Sequence, residues 1–203
     1  MFAGFSLAAL AAPRAPAAAD RTILVLGDSL SAAYGLAVEE GWVALLQKRL
    51  RDRGYGYRVV NASVSGETTS GGRARVARAL ALHKPAIVIV ELGANDGLRG
   101  LPLDSSRANL DAIARASTKV GAKLLILGMQ MPPNYGQRYA NEFAQLFAEL
   151  ARQHTAALVP FFLAGVATQP ALFQPDGLHP TAKAQPIMLN TVWTQLAPVL
   201  DKN

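Results

Sequence analysis

From residue 21 onward the chain alternates short apolar runs with longer amphipathic stretches. The runs cover residues 22–26, 58–61, 86–91, 123–128 and 157–160. Each is four to six residues long, often β-branched, and ends near Gly, Asn or Pro, the pattern of a strand buried in a parallel sheet. Between them, helical spacing covers residues 41–51, about 70–82, 106–120 and 137–154. A last helix is expected over about 181–200, with Pro186 interrupting it or marking its first turn. Strand–helix alternation repeated in this way predicts an α/β fold: a three-layer α/β/α sandwich with a five-stranded parallel sheet. No internal repeat, linker or second domain shows, so residues 20–203 read as one domain.

Residues 1–19 break that rhythm. Residues 2–12 form an apolar stretch of 11, whereas a bilayer span needs about 20, so no transmembrane segment is expected. Pro13, Arg14 and Pro16 follow, then Ala17-Ala18-Ala19 before Asp20. A short apolar core, a helix breaker and an A-x-A site describe an export signal cleaved after Ala19, which implies a periplasmic or secreted protein. The competing reading is an unstructured Ala/Pro-rich leader, since no Lys or Arg precedes the apolar stretch. Cleavage would leave 19 basic and 14 acidic residues, a net charge of +5.

Composition narrows the chemistry. With 51% hydrophobic and 17% charged residues the chain is not disordered. The absence of cysteine excludes a disulfide scaffold, a thiolate metal site and a cysteine nucleophile. A net charge of +6 and a pI near 9.9 raise the question of nucleic acid or an anionic membrane. The basic residues, however, come in small groups such as Arg73, Arg75 and Arg78, on stretches read as amphipathic helices. They lack zinc-finger or RNP-like spacing and interleaved aromatics, so a solvated surface is expected and a nucleic-acid partner is not. No H-E-x-x-H, P-loop or dinucleotide fingerprint occurs, and neither metal nor cofactor is expected.

In a parallel sheet, ligands bind outside the carboxyl ends of the strands, so the loops there carry the functional candidates. They are Gly27-Asp28-Ser29-Leu30-Ser31, the run from Asn61 to Thr68, Leu92-Gly93-Ala94-Asn95-Asp96-Gly97, and Asp176-Gly177-Leu178-His179-Pro180. Of the three histidines, His83 and His154 fall at helix ends on the opposite edge; His179 alone follows a strand, with Asp176 three residues before it. An Asp-x-x-His turn can fold the carboxylate onto Nδ1 and fix the imidazole, although the pattern is common by chance. The partner must be a hydroxyl. Ser29 stands at the first strand-to-helix turn, where N–H groups point outward and favour an anion. The missing G-x-S-x-G excludes an α/β-hydrolase nucleophile elbow.

These blocks, Gly27-Asp28-Ser29-Leu30, Gly66, Gly93-Ala94-Asn95-Asp96 and Asp176-Gly177-Leu178-His179-Pro180, stand in the order of the four blocks of the SGNH (GDSL-type) hydrolases. The chain resembles that family over nearly all of residues 21–200, most closely its bacterial periplasmic thioesterase, arylesterase and lysophospholipase members. The resemblance implies a flavodoxin-like SGNH fold and a serine hydrolase cleaving carboxylic esters and thioesters of acyl groups, lysophospholipid among them. It implies Ser29 as nucleophile, His179 as general base, Asp176 as its orienting partner, and an oxyanion hole from the Ser29 and Gly66 N–H groups and the Asn95 amide. Glycine suits position 66 because no Cβ would obstruct the oxyanion. Asp28 is read as a cap of the Ser29 loop, and Glu67 and Asp96 as loop hydrogen-bonders. Ser63 and Ser65 flank the donor glycine but lack the first-strand turn.

The stretch 97–103 is expected to be a mobile cover over the acyl chain, with Gly97, Leu98, Leu101, Met131 and Tyr135 as substrate-binding candidates. Met129, Phe161 and Phe162 either line an acyl pocket or fill the core. Two other functions compete: a carbohydrate O-acetylesterase on the same fold, and a non-catalytic module binding an anionic polymer.

Overall fold

The computed structural model describes residues 21–201, and the expected leader at residues 1–19 lies outside them. Five strands, β1 (Arg21–Gly27), β2 (Tyr57–Asn61), β3 (Ile87–Glu91), β4 (Lys123–Leu127) and β5 (Ala157–Val159), form one parallel sheet in the order β2-β1-β3-β4-β5. The helices are α1 (Trp42–Asp52), α2 (Thr69–His83), α3 (Ala94–Leu98), α4 (Leu103–Lys119), α5 (Gln137–Gln153) and α6 (Gln185–Leu196). α1 packs with α6, and α4 packs with both α2 and α5, which covers the two faces of the sheet. Among the described residues no helix is long and apolar enough to cross a membrane.

The sheet is the core. Ile23, Leu24, Val25 and Leu26 of β1 and Ile87, Val88 and Ile89 of β3 are entirely buried, as β-branched and leucine side chains must be when helices cover both faces. Each buried side chain of this size contributes about 1.5–3 kcal/mol. α5 shows how the helices join it, burying Phe143, Leu146, Phe147 and Leu150, one stripe at helical spacing.

Three boundaries differ from the sequence reading. α4 begins at Leu103 rather than residue 106, directly after Pro102, whose fixed φ of −59° leads into the helix. α6 is shorter than residues 181–200 because 182–184 and 197–199 form separate 3-10 turns, with Pro186 in the first turn of the helix, where its missing N–H costs nothing. The third concerns Ser29. No helix starts there: a single i to i−4 bond, Ala32 N–H to the Asp28 carbonyl at 3.0 Å, is followed by Ala33 at φ 58° and Gly35 at φ 72°. These left-handed residues end the turn, and α1 begins only at Trp42.

Candidate active site

In a sheet of this order the chain runs one way from β1 and the opposite way from β3. The crevice at that reversal is where ligands bind, and Ser29 follows β1 while Asn95 follows β3. Asp28 is buried and caps the turn that carries Ser29, its Oδ1 accepting the Leu30 N–H at 3.0 Å. Ser29 itself stays partly accessible.

The loop after β5 brings His179 to the same edge. An antiparallel bridge between Phe173 and Pro180 closes it, and the Gln174 side chain donates to the carbonyls of Tyr34 (2.9 Å) and Pro180 (3.1 Å). Inside it, Gly177 takes φ 69°, and Asp176 Oδ1 accepts the N–H groups of Leu178 (2.9 Å) and His179 (3.0 Å). Asp176 Oδ2 lies 2.6 Å from His179 Nδ1, and His179 Nε2 lies 2.9 Å from Ser29 Oγ. The His179 N–H, the imidazole and the Leu178 N–H together hold the Asp176 carboxyl down at about 2, so it is ionised. An ionised acceptor at Nδ1 keeps the proton there and turns the Nε2 lone pair toward the serine hydroxyl. The Tyr34 ring lies 4.4 Å from the imidazole, centroid to centroid. His83 ends α2, and His154 sits at the end of α5 with Nε2 2.8 Å from Asp111; neither reaches this edge.

The N–H groups of Ser29 and Gly66 meet no acceptor among the described residues. The second loop is tied to β1 by the Val64 N–H, which donates to the Gly27 carbonyl at 3.0 Å. Gly66 takes φ 77°, and a Cβ there would approach only Arg99, at 3.7 Å. The left-handed backbone therefore calls for glycine whatever the space around it. Asn95 Nδ2 donates to Asp28 Oδ2 (3.1 Å) and to the Glu67 carbonyl (3.0 Å). Arg75 braces the same loop: its Nε pairs with Glu67 Oε2 at 2.7 Å, while its other nitrogens donate to the carbonyls of Ala62 and Gly27. Asp96 accepts from Thr69 and Ser106, which ties the start of α2 to α3 and α4.

Two acids lie beneath the Ser29 turn. Burial pushes Asp28 up to about 6, and Glu91, the last residue of β3, is pushed well above the ordinary carboxylate range by burial and by the charge of Asp28. Sequence reasoning missed Glu91, Arg75, Tyr34 and Gln174. Glu91 had left a trace, as the one charge closing the otherwise apolar β3, whereas Arg75 is indistinguishable in sequence from its exposed neighbours Arg73 and Arg78.

A cavity of about 470 Å³ opens beside Ser29, Asn95 and His179, walled mainly by Leu30, Leu98, Met129, Met131, Phe161 and Phe173. Of the five substrate-binding candidates, Leu98 and Met131 line it, and Gly97, Leu101 and Tyr135 do not. Gly97 is buried where α3 faces Met131 and Phe143, and the Tyr135 hydroxyl donates to the Leu98 carbonyl at 3.4 Å. Phe162 is core, packed edge-on against Trp42. Within the expected cover at 97–103, α3 runs to Leu98 and α4 starts at Leu103; residues 99–102 form the loop between them, with the Leu101 N–H held by the Asp96 carbonyl at 2.9 Å.

The sequence profile of the GDSL-like Lipase/Acylhydrolase family matches residues 25–186, a span that includes all four loops. The chain belongs to that family. It is 54% identical over 183 residues to Esterase TesA of Pseudomonas aeruginosa, covering 90% of this chain and 91% of that protein. To Thioesterase 1/protease 1/lysophospholipase L1 of Escherichia coli (strain K12) it is 39% identical over 185 residues, 91% of this chain and 88% of that one. The solved structure of TesA superposes with a TM-score of 0.87 at 53% identity, covering 89% of this chain and 100% of that chain. These likenesses agree with the parallel five-stranded sandwich expected from the sequence.

Proposed function

We propose that this protein is a serine esterase and thioesterase of acyl groups that works through an acyl-enzyme on Ser29. The observation that carries the reading is the line Ser29 Oγ–His179–Asp176, with separations of 2.9 and 2.6 Å, at the mouth of an apolar cavity. Ser29 Oγ attacks the acyl carbonyl carbon as its proton passes to His179 Nε2. The imidazolium so formed is stabilised by the ionised Asp176. Collapse of the tetrahedral intermediate breaks the C–O or C–S bond, and the leaving group takes the His179 proton; where it departs as an anion, His179 gives that proton to solvent before the next step. A thiolate or aryl oxide needs little such help, which lets one site accept both. Water, deprotonated by His179, then attacks the acyl-serine, releasing the carboxylic acid and returning the proton to Ser29.

The oxyanion of each tetrahedral intermediate is held by the Ser29 and Gly66 N–H groups and by Asn95. Such donors are worth about 3–4 kcal/mol each in the transition state. Both Nδ2 hydrogens of Asn95 are engaged in the resting protein, so the oxyanion takes the place of Asp28 Oδ2 as acceptor. The apolar walls suit an alkyl chain and weigh against a carbohydrate acetyl ester. The esterase and thioesterase names of the two relatives favour the same side, and export through residues 1–19 would place the enzyme in the periplasm or outside the cell.

A fluorophosphonate probe is expected to label the wild type stoichiometrically and Ser29→Ala not at all, with kcat on p-nitrophenyl esters lowered at least about 10⁴-fold. Labelling or turnover that survives the substitution overturns the assignment. Activity extending from acetyl to dodecanoyl esters supports the acyl cavity, and a sharp optimum at acetyl favours the carbohydrate reading.

A further inference from the structure

We infer that Glu91 is a positioning residue for Ser29: a single oxygen of its carboxyl grips the nucleophile turn on both sides of the serine. The inference rests on Ser29 being the nucleophile. Glu91 ends β3 directly opposite Gly27 of β1 and is entirely buried. Its Oε2 accepts the Asp28 N–H at 3.2 Å and the Ser31 hydroxyl at 2.7 Å, the residue before Ser29 and the second one after it. Asp28 Oδ1 holds the Leu30 N–H. Residues 28, 30 and 31 are therefore anchored from beneath, and Ser29 alone is left to project its hydroxyl and N–H into the crevice. Gly27 makes the approach possible, because a Cβ there would lie 2.8 Å from Glu91 Oε2 and from the Ser31 side chain.

The grip works with a neutral acid. An isolated buried carboxylate is strongly disfavoured, and among the described residues no cation pairs with Glu91; the ionisable group that acts on it is the Asp28 carboxyl. Burial and that neighbouring charge both raise the affinity of Glu91 for its proton. A neutral carboxyl presents one carbonyl oxygen to accept two hydrogen bonds. Glutamine offers the same oxygen in the same shape, and methionine fills the space without it.

The test compares these two side chains in a protein already shown to label at Ser29 with a fluorophosphonate. Glu91→Gln is expected to keep kcat within about threefold of wild type. Glu91→Met is expected to fold with a lowered melting temperature, since the Asp28 N–H and the Ser31 hydroxyl lose their acceptor while a buried acid is exchanged for an apolar side chain. Its kcat should fall about 100-fold, the cost of a misplacement near 1 Å, with KM within about threefold. Wild-type kcat in Glu91→Met, or an equal loss in Glu91→Gln, overturns the inference while leaving the labelling result intact. If Glu91→Met does not fold, Ser31→Ala decides: a fall in kcat of about tenfold at constant KM supports the grip, and wild-type kcat overturns it. Failure of the wild type to label at Ser29 would instead remove the reading on which the inference rests.

Discussion

Arg75 is the side chain whose loss should separate the stability of the fold from the shape of the oxyanion loop. Arg75→Met removes the ion pair with Glu67 and the bonds to the Ala62 and Gly27 carbonyls, joining the ends of β1 and β2 to α2. It leaves the Glu67 carboxylate, 15% exposed, with the Thr68 N–H as its remaining donor at 3.2 Å. Breaking a fully buried pair costs about 3–5 kcal/mol; with the Arg75 side chain 26% exposed, water recovers part of this and about 2 kcal/mol is expected. The catalytic effect has another route. The Glu67 carbonyl holds Asn95, and the Gly66 N–H is one residue away, so a relaxed loop shifts two of the proposed oxyanion donors together. Full loss of one donor costs about 10²–10³ in kcat, and partial misplacement of two should cost about 10–100-fold. Urea denaturation supplies the first number and kcat on p-nitrophenyl butyrate the second. A double-mutant cycle with Glu67→Gln should give a coupling of about 1–2 kcal/mol. A destabilised Arg75→Met that keeps kcat within twofold would refute the link to the oxyanion loop, and wild-type stability would refute the ion-pair argument itself.

Two further predictions concern the neighbourhood of the site. Because burial raises Asp28 to about 6, its proton is held more tightly folded than unfolded, so its stabilising contribution is full below about pH 4 and lost as pH rises through about 6. Relative to Asp28→Asn, the wild type should lose on the order of 2–3 kcal/mol across that window in urea titrations; parallel curves would refute the shift. Gly97→Ala places a Cβ 2.6 Å from Met131 Sδ and 2.9 Å from Phe143 Cε2. Thermal melts should show about 1–3 kcal/mol of overpacking, and KM for long-chain esters should rise more than for acetate, since Met131 lines the cavity. Equal KM changes across the series would place Met131 outside the acyl path.

Strand–helix order was readable because doubly covered strands must be apolar throughout, which marks β3 and β4 and most of β1; the edge strands β2 and β5 are only partly buried and were found as short β-branched or apolar runs between helices. The residues now meeting at the crevice were readable for a related reason: each follows a strand end, and the sheet fixes where strand ends go. What escaped depended on side chains crossing between elements. Arg75 is set apart from Arg73 and Arg78 only by the facing loop it reaches. α3 was taken as loop because it is five residues long and begins after Gly93 at φ 114°, below the length at which periodicity speaks. The substrate candidates split on the same ground: Leu98 and Met131 point into a space that no local pattern encodes, and Tyr135 turns instead to the Leu98 carbonyl.

Ser29 and His179 touch across 150 residues of chain. A contact of that span closes late, since long loops must be ordered before they are rewarded. An emerging or truncated chain can therefore form most of the sheet and still lack a working nucleophile. The fluorophosphonate that identifies Ser29 would then double as a census of molecules that have completed folding. In a refolding experiment, its labelling should appear after the helical signal has already returned.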